Sequence, residues 1–416
     1  MISIYKLIYN LLNTHKYIYK YTMQQLAVLL SLVLLSIIIY DVKSTTSLPP
    51  QFILDIGKAP INRWEGAVTS VLKIHPFEYS FGPVFEAHNE TLFSKLSAEQ
   101  FEALGLSVKR NFPEQALELQ GISNEFFQNG MLVTYNYLAA WVYFHELAHT
   151  SLITPTKQEK LFKSCSAVLV QDPNDKSIWH GRNMDMSPFN IRNATLQISV
   201  INSKVDDEIL FHGVDWYWFT TGFMTAMKPG LIGLQENWRF KTVNIDDVFV
   251  KASKGILPQV FLFRKTLTEA SKTSTYASIV DILKETELSA PEYIVASGVN
   301  DGEVLIRELN TTSKIVKIGH QGTFDYLMWT NYDSCLAEPK TDIRCAPGKL
   351  LLENMGRVLS GSSMGIYAVT SAFPVHNPTT AYTAVMNVKN DFFHSFVRDP
   401  LQIVTGDSSD SRSREL

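Results

Sequence analysis

Cys165-Ser-Ala-Val-Leu-Val-Gln-Asp-Pro-Asn-Asp-Lys-Ser-Ile-Trp-His-Gly-Arg-Asn-Met-Asp185 is the stretch whose reading decides the fold. Residues 166–170 are a continuous apolar run, the pattern of a strand covered on both faces. Asp172-Pro-Asn-Asp175 carries the residues of a type I turn, and 176–182 then form the return strand. Centring the hairpin on that turn sets Cys165 directly opposite Arg182, about 5 Å apart at Cβ. A guanidinium at that range lowers the pKa of a thiol and favours thiolate. Asp185 lies three residues further on, and its partner position, 162, is N-terminal to the cysteine. A carboxylate there suits a charge on the backbone nitrogen of Cys165, and a free α-amino group is such a charge. The pattern therefore predicts a cut between Ser164 and Cys165, after the polar, lysine-containing linker 150–163. An N-terminal cysteine needs no histidine, because its own α-amine (pKa about 7.7–8.0) can take the thiol proton. The plainer alternative is an ordinary hairpin with a surface Arg and Asp and a buried, inert cysteine.

Outward from the hairpin, strand-like runs fall at 196–201, 208–211, 215–220 and 231–234. Helical patterns follow at 245–271 and 275–288, and strands return at 293–296, 304–307, 315–318 and 326–330. Upstream, 47–150 reads as mostly helical. Ser97 with Gln100 three residues on is a capping-box pattern, and 130–149 is apolar enough for a buried helix of about five turns. No internal repeat is visible. A helical front segment followed by a strand–helix–strand body favours an α+β layered sandwich.

The 416 residues are 45% hydrophobic and 19% charged, which excludes a wholly disordered chain. A net charge of −4 argues against nucleic-acid binding through bulk charge. Residues 26–40 form an apolar run behind Lys16 and Lys20. Its length suits the core of a signal peptide better than a spanning helix, which needs about 20 residues. Residues 1–45 are therefore expected to be a signal peptide or, as the alternative, a retained N-terminal anchor. Asn89, Asn193 and Asn310 open sequons that agree with a secretory route. The three cysteines leave one over: Cys335 and Cys345, ten residues apart in a loop, can bridge, which leaves Cys165 free. The polar tail 406–416 reads as disordered.

At the hairpin the chain resembles the acid ceramidase and N-acylethanolamine-hydrolysing acid amidase family of N-terminal-nucleophile hydrolases. The resemblance rests on Cys165-Ser-Ala-Val-Leu with His180-Gly-Arg-Asn-Met-Asp185, and on Asn62-Arg63-Trp64. It rests further on Lys228-Pro-Gly-Leu231, Thr330-Asn-Tyr-Asp333 with Arg344, and Phe373-Pro-Val-His-Asn377 before Tyr382-Thr-Ala-Val-Met386. It implies an αββα four-layer sandwich, with 46–164 as a helical α-subunit segment and 165–405 as the catalytic β-subunit. It also implies that Cys165 is the nucleophile, exposed by self-cleavage after Ser164. Arg182 and Asp185 would orient and polarise it, Asn331 would supply an oxyanion-hole donor, and Arg344 would help hold the site. The implied reaction is hydrolysis of a lipid N-acyl amide, ceramide or N-acylethanolamine, to a fatty acid and an amine, without a cofactor. The implied setting is the lysosome or the secreted milieu, against a transient membrane or lipid surface and with a lipid-presenting activator protein. The two fragments would stay together, and no nucleic acid is involved.

The chain departs from the family where Trp238 stands at an expected glutamate, with Glu236 two residues away. Asp342-Ile343 replaces an acidic pair, and Cys345 replaces an arginine. Residues 211–227 are rich in aromatics and methionine. Trp216, Trp218 and Phe223, with Trp238, are candidates to line a slot for an acyl chain, although plain core fits them equally well. His180 reads as structural, and His320 as near the site. A competing motif is His145-Glu-Leu-Ala-His149, the HExxH pattern of zinc proteases. It makes His145 and His149 alternative metal ligands, with a third from Glu159 or beyond. A lipid-binding homologue with impaired catalysis is the other alternative.

Overall fold

The computed structural model describes residues 46–153, 165–320, 323–340 and 342–399. The expected signal segment, Ser164, Glu159 and the tail lie outside the described residues. Among the described residues, no helix is long and apolar enough to cross a membrane.

The front segment opens with strand β1 (Gln51–Asp55) and helices α1 (Ala67–Leu72), α2 (Phe81–Thr91), α3 (Ala98–Asn111) and α4 (Pro113–Gln128). Ser97 caps α3 through the expected reciprocal pair with Gln100. The helix expected over 130–149 is two short ones, α5 (Tyr135–Val142) and α6 (Phe144–Ala148). Gly130, at φ 83°, turns the chain, and Thr134 starts α5 by accepting the Tyr137 N–H.

The body holds the hairpin β2 (Ser166–Gln171) and β3 (Ile178–Asp185), then β4 (Leu196–Asn202), β5 (Asp206–Asp215), β6 (Thr225–Lys228) and β7 (Ile232–Trp238). Helices α7 (Ile245–Lys254), α8 (Gln259–Glu269) and α9 (Tyr276–Glu285) follow. The helix expected over 245–271 breaks because Gly255 adopts φ 75° and Pro258 heads the next helix. Strands β8 (Glu292–Ser297), β9 (Gly302–Arg307), β10 (Thr312–Lys317), β11 (Gly319–His320) and β12 (Asp325–Trp329) come next. Helices α10 (Cys345–Ser360) and α11 (Ser363–Ser371) and strands β13 (Thr380–Asn387) and β14 (Phe392–Arg398) complete the body.

One sheet runs β14-β13-β3-β2-β12-β11, and the other, eight-stranded, runs β10-β9-β8-β7-β6-β5-β4-β1. Pairing is antiparallel throughout the second sheet except between β1 and β4. Both faces of the middle of β2 are covered, which explains why Ala167–Val170 is continuously apolar. Ala167 and Leu169 pack on Val295, Val304 and Ile306 of the facing sheet. Val168 and Val170 pack on Leu352, Ile366 and Val369 of α10 and α11. The far side of the second sheet, with Leu234, Ile294 and Leu305, packs on Phe263, Leu267, Ile279 and Leu283. The layers are helix, sheet, sheet, helix, an α+β sandwich as expected. Gly181 lets α11 approach β3, since a Cβ there would lie 2.4 Å from the Ile366 side chain.

Glu118, fully buried on α4, joins the front segment to the body. Its carboxylate accepts Arg63 Nη1 at 2.8 Å, Trp64 Nε1 at 2.7 Å, Arg264 Nη2 at 2.6 Å and a further bond from Arg264 Nη1. Burial pushes its pKa up, but Arg264 and Arg63 together outweigh it and hold the group below the ordinary range.

Candidate active site

Cys165 immediately precedes β2 and is 4% exposed. The hairpin register differs from the expected one: Ala167, not Cys165, faces Arg182, and Ser166 faces Asn183. The cause is the turn. Lys176 takes the left-handed conformation at φ 65°, and Asp172 N–H donates to Ser177 C=O, so the loop sits one residue later. A two-residue shift of the pairing leaves every side chain on its original face. Arg182 therefore still points to the cysteine side and reaches diagonally, with Nη2 donating to Cys165 Sγ at 3.3 Å. Its Nη1 donates to the Met224 carbonyl, and the Tyr382 ring lies 5.9 Å away.

The thiol is not a thiolate here. Burial pushes it up to about 11, and Arg182 opposes this without winning. Proximity of a guanidinium alone, the expectation from the sequence, omitted the desolvation of a fully enclosed sulfur. Met184, with Sδ 3.6 Å from the thiol, adds to the apolar surroundings.

Asp185 occupies the opposite face of β3 from Arg182. Thr380 Oγ1 donates to its Oδ1 at 2.5 Å, Asn377 Nδ2 to its Oδ2 at 2.7 Å, and Arg344 Nη1 to the same oxygen at 3.2 Å. Burial still pushes this carboxyl up to about 7, against the pull of Arg344. Arg344 links the site: Nη1 also donates to Cys165 C=O at 3.0 Å and Ser166 Oγ at 3.2 Å, and Nη2 to Asn331 Oδ1 at 3.3 Å. Asp342 holds this guanidinium from behind with two 2.7 Å bonds. Asn331 is buried, and its Nδ2 donates to Trp238 C=O at 2.6 Å, which leaves one amide hydrogen for another acceptor.

Five residues singled out in the sequence, Cys165, Arg182, Asp185, Asn331 and Arg344, thus share one bonded cluster. Sequence reading missed Asn377, Thr380, Ser166 and Asp342 as its supports. Asn377 closes the quoted late segment, so its amide was available as a signal. Thr380 becomes a partner only through the β13–β3 pairing.

Other residues have structural roles. Lys228 Nζ donates to the Leu267 and Ala270 carbonyls at the end of α8, at 3.1 and 2.9 Å. His180 bridges Ser297 Oγ and Gln235 Oε1, each at 2.9 Å, and burial pushes it down to about 4. Trp216, Trp218 and Phe223 are fully buried: Trp218 stacks on Trp64, while Trp216 meets Phe144 and Phe223 meets Phe211 edge to face, so the structure puts them in core. Trp238 lies flat on His149 with centroids 3.8 Å apart, while His149 Nδ1 engages Lys241 C=O at 2.7 Å. Cys335 and Cys345 form a disulfide, and Cys165 is free. Asn89 and Asn310 are exposed, and Asn193 is half-buried with Nδ2 donating to Tyr79 C=O at 2.6 Å.

No family model matches the chain. The chain is 27% identical over 259 residues to acid ceramidase of Bos taurus, covering 58% of this chain and 63% of that protein. It is 28% identical over 241 residues to the N-acylethanolamine-hydrolyzing acid amidase of Rattus norvegicus, covering 57% of this chain and 64% of that one. Over the matched residues the chain is similar to acid ceramidases and to N-acylethanolamine-hydrolyzing acid amidase. The match spans less than two thirds of those relatives' own length. Among solved structures, a Caenorhabditis elegans N-acylethanolamine-hydrolyzing acid amidase ortholog aligns at a TM-score of 0.48 and 24% identity, over 56% of this chain and 99% of that one. Cys345 is committed to the disulfide, and Asp342 shares Arg344 with Asp185.

Proposed function

We propose that this chain hydrolyses the N-acyl amide bond of a lipid, ceramide or N-acylethanolamine, with Cys165 as nucleophile after a cut between Ser164 and Cys165. The observation that carries the reading is Arg182 Nη2 at 3.3 Å from the free thiol. In the uncut chain the thiol is enclosed and protonated, which is the condition of an inert precursor. The cut separates the front segment, 46–164, from the catalytic body, 165–405, and leaves Cys165 with an α-amine. That amine takes the thiol proton as sulfur attacks the amide carbon. The oxyanion is met by the spare N–H of Asn331. Collapse expels the amine, which leaves with the proton, and forms a thioester. Water then attacks the thioester through the same α-amine as base, its hydroxyl freeing the fatty acid and its other proton passing to sulfur. Arg344 and Asp185 fix the backbone of Cys165 throughout. The substrate class follows the names of the homologues, and the setting that suits it is the lysosome or the secreted milieu, with sequons at Asn89, Asn193 and Asn310 used and a lipid surface or lipid-presenting protein delivering substrate.

The test is fatty-acid release from a short-chain ceramide and from an N-acylethanolamine, at pH 4.5 and 7.5, by wild type and Cys165→Ala. Release by wild type alone is expected. Release by Cys165→Ala, or by neither protein on either lipid, overturns the reading.

A further inference from the structure

HExxH leads to a different place from the one its pattern names. His145 on α6, Glu236 on β7 and Glu292 at the head of β8 bring one ligand atom each within 4.8 Å of one another. They are 1%, 2% and 0% exposed. Glu236 faces Ile294 and Trp238 faces Glu292 in the β7–β8 ladder, so both carboxylates stand on one face of neighbouring strands. His145 Nε2 lies 3.1 Å from Glu236 Oε1.

Three observations point past an ordinary buried ion pair. Neither oxygen of Glu292 has a hydrogen-bond partner among the described residues, and neither has His145 Nδ1. Gln259 lies against Glu292, yet neither its oxygen nor its nitrogen makes a bond of good geometry. Glu146, the glutamate of the motif, is buried nearby with Oε2 unpartnered. Buried polar atoms are nearly always satisfied, and a group of them left over in one place is a mark of an ion or its ligand set. Three carboxylates and an imidazole also carry excess negative charge. The neighbouring Arg307 spends its guanidinium on the Lys284 and Thr286 carbonyls.

We propose that His145, Glu236 and Glu292 bind one divalent transition-metal ion of the zinc type, with Glu146 or a water as fourth ligand. One imidazole and two carboxylates are a zinc donor set. With bonds of about 2.0–2.1 Å, a tetrahedral edge is about 3.3 Å, close to the His145–Glu236 spacing. Glu292 closes the remainder by side-chain rotation. The ion is structural and no protease centre: all three ligands are enclosed, and His149 is turned to Lys241 and Trp238. It ties α6 of the front segment to two strands of the body. The competing state is a neutral, protonated Glu292.

The full-length chain is equilibrated with zinc ion, dialysed and analysed for metal by mass spectrometry, and its melting is followed with and without EDTA. About one zinc per chain is expected, with EDTA lowering the melting temperature by several degrees and zinc restoring it. Glu292→Gln, which mimics the protonated state, and His145→Gln should lose both the metal and the response to EDTA. Wild type without zinc, or Glu292→Gln that retains it, overturns the proposal. If the variants fail to fold, the wild-type stoichiometry and its EDTA response decide.

Discussion

Replacing Arg182 with methionine removes the charge nearest Cys165 and keeps most of the side-chain volume. At 3.3 Å and an effective dielectric of about 20, a guanidinium and a thiolate attract by about 5 kcal/mol, or roughly 3–4 pKa units. Arg182 is fully buried, so salt screens the pair little. The thiol stands at about 11 with Arg182 opposing burial, and losing that opposition sends it higher. Cys165 is the chain's free thiol, so alkylation by iodoacetamide followed by intact mass reads a single site. The sulfur is enclosed, so at pH 8.5 the labelling rate scales with the thiolate fraction once the opening of the site is the same in each variant. Arg182→Met is expected to label about 1,000- to 10,000-fold more slowly than wild type, with Arg182→Lys between them. Equal labelling within about threefold, at an unchanged melting temperature, refutes the idea that this guanidinium governs the ionisation of the sulfur.

Glu118→Ala strands two buried guanidinium groups and the Trp64 N–H, and should lower the unfolding free energy in urea by about 3–5 kcal/mol, with Glu118→Gln milder. Asp185 has a folded pKa of about 7 against an ordinary 3.8. Its contribution is therefore fully present below about pH 3.8 and is lost as pH rises through 7. The stability of wild type relative to Asp185→Asn should accordingly fall by up to about 4 kcal/mol between pH 4 and 8, read by denaturant unfolding across that range. Asn331→Ala should reduce kcat for lipid-amide hydrolysis by about 100- to 1000-fold with little change in KM, since its spare N–H is aimed at charge present only in the transition state.

The hairpin was legible because its apolar run and turn residues are local, and a register error of two positions is harmless to the face of Arg182. The turn itself was misplaced because a lysine at φ 65° leaves no signature in composition. The break after Lys254 had visible causes in Gly255 and Pro258, but the surrounding helical periodicity outweighed them. Strands β13 and β14 and helices α10 and α11 carry no comparable local pattern, and with them went Thr380 as a partner of Asp185. The thiol pKa required three-dimensional burial, which no linear pattern reports. Glu236 was noticed only as a neighbour of Trp238. Its meeting with His145 and Glu292 joins residues more than 140 positions apart along the chain.

Everything proposed for Cys165 depends on one peptide bond, 164–165. Mass spectrometry of the terminal peptides of the active protein reads it directly: a large fragment that begins with Cys165 carrying a free amine is expected, with Cys165→Ala remaining a single uncut chain. Full lipid-amide activity in a protein whose 164–165 bond is intact contradicts it.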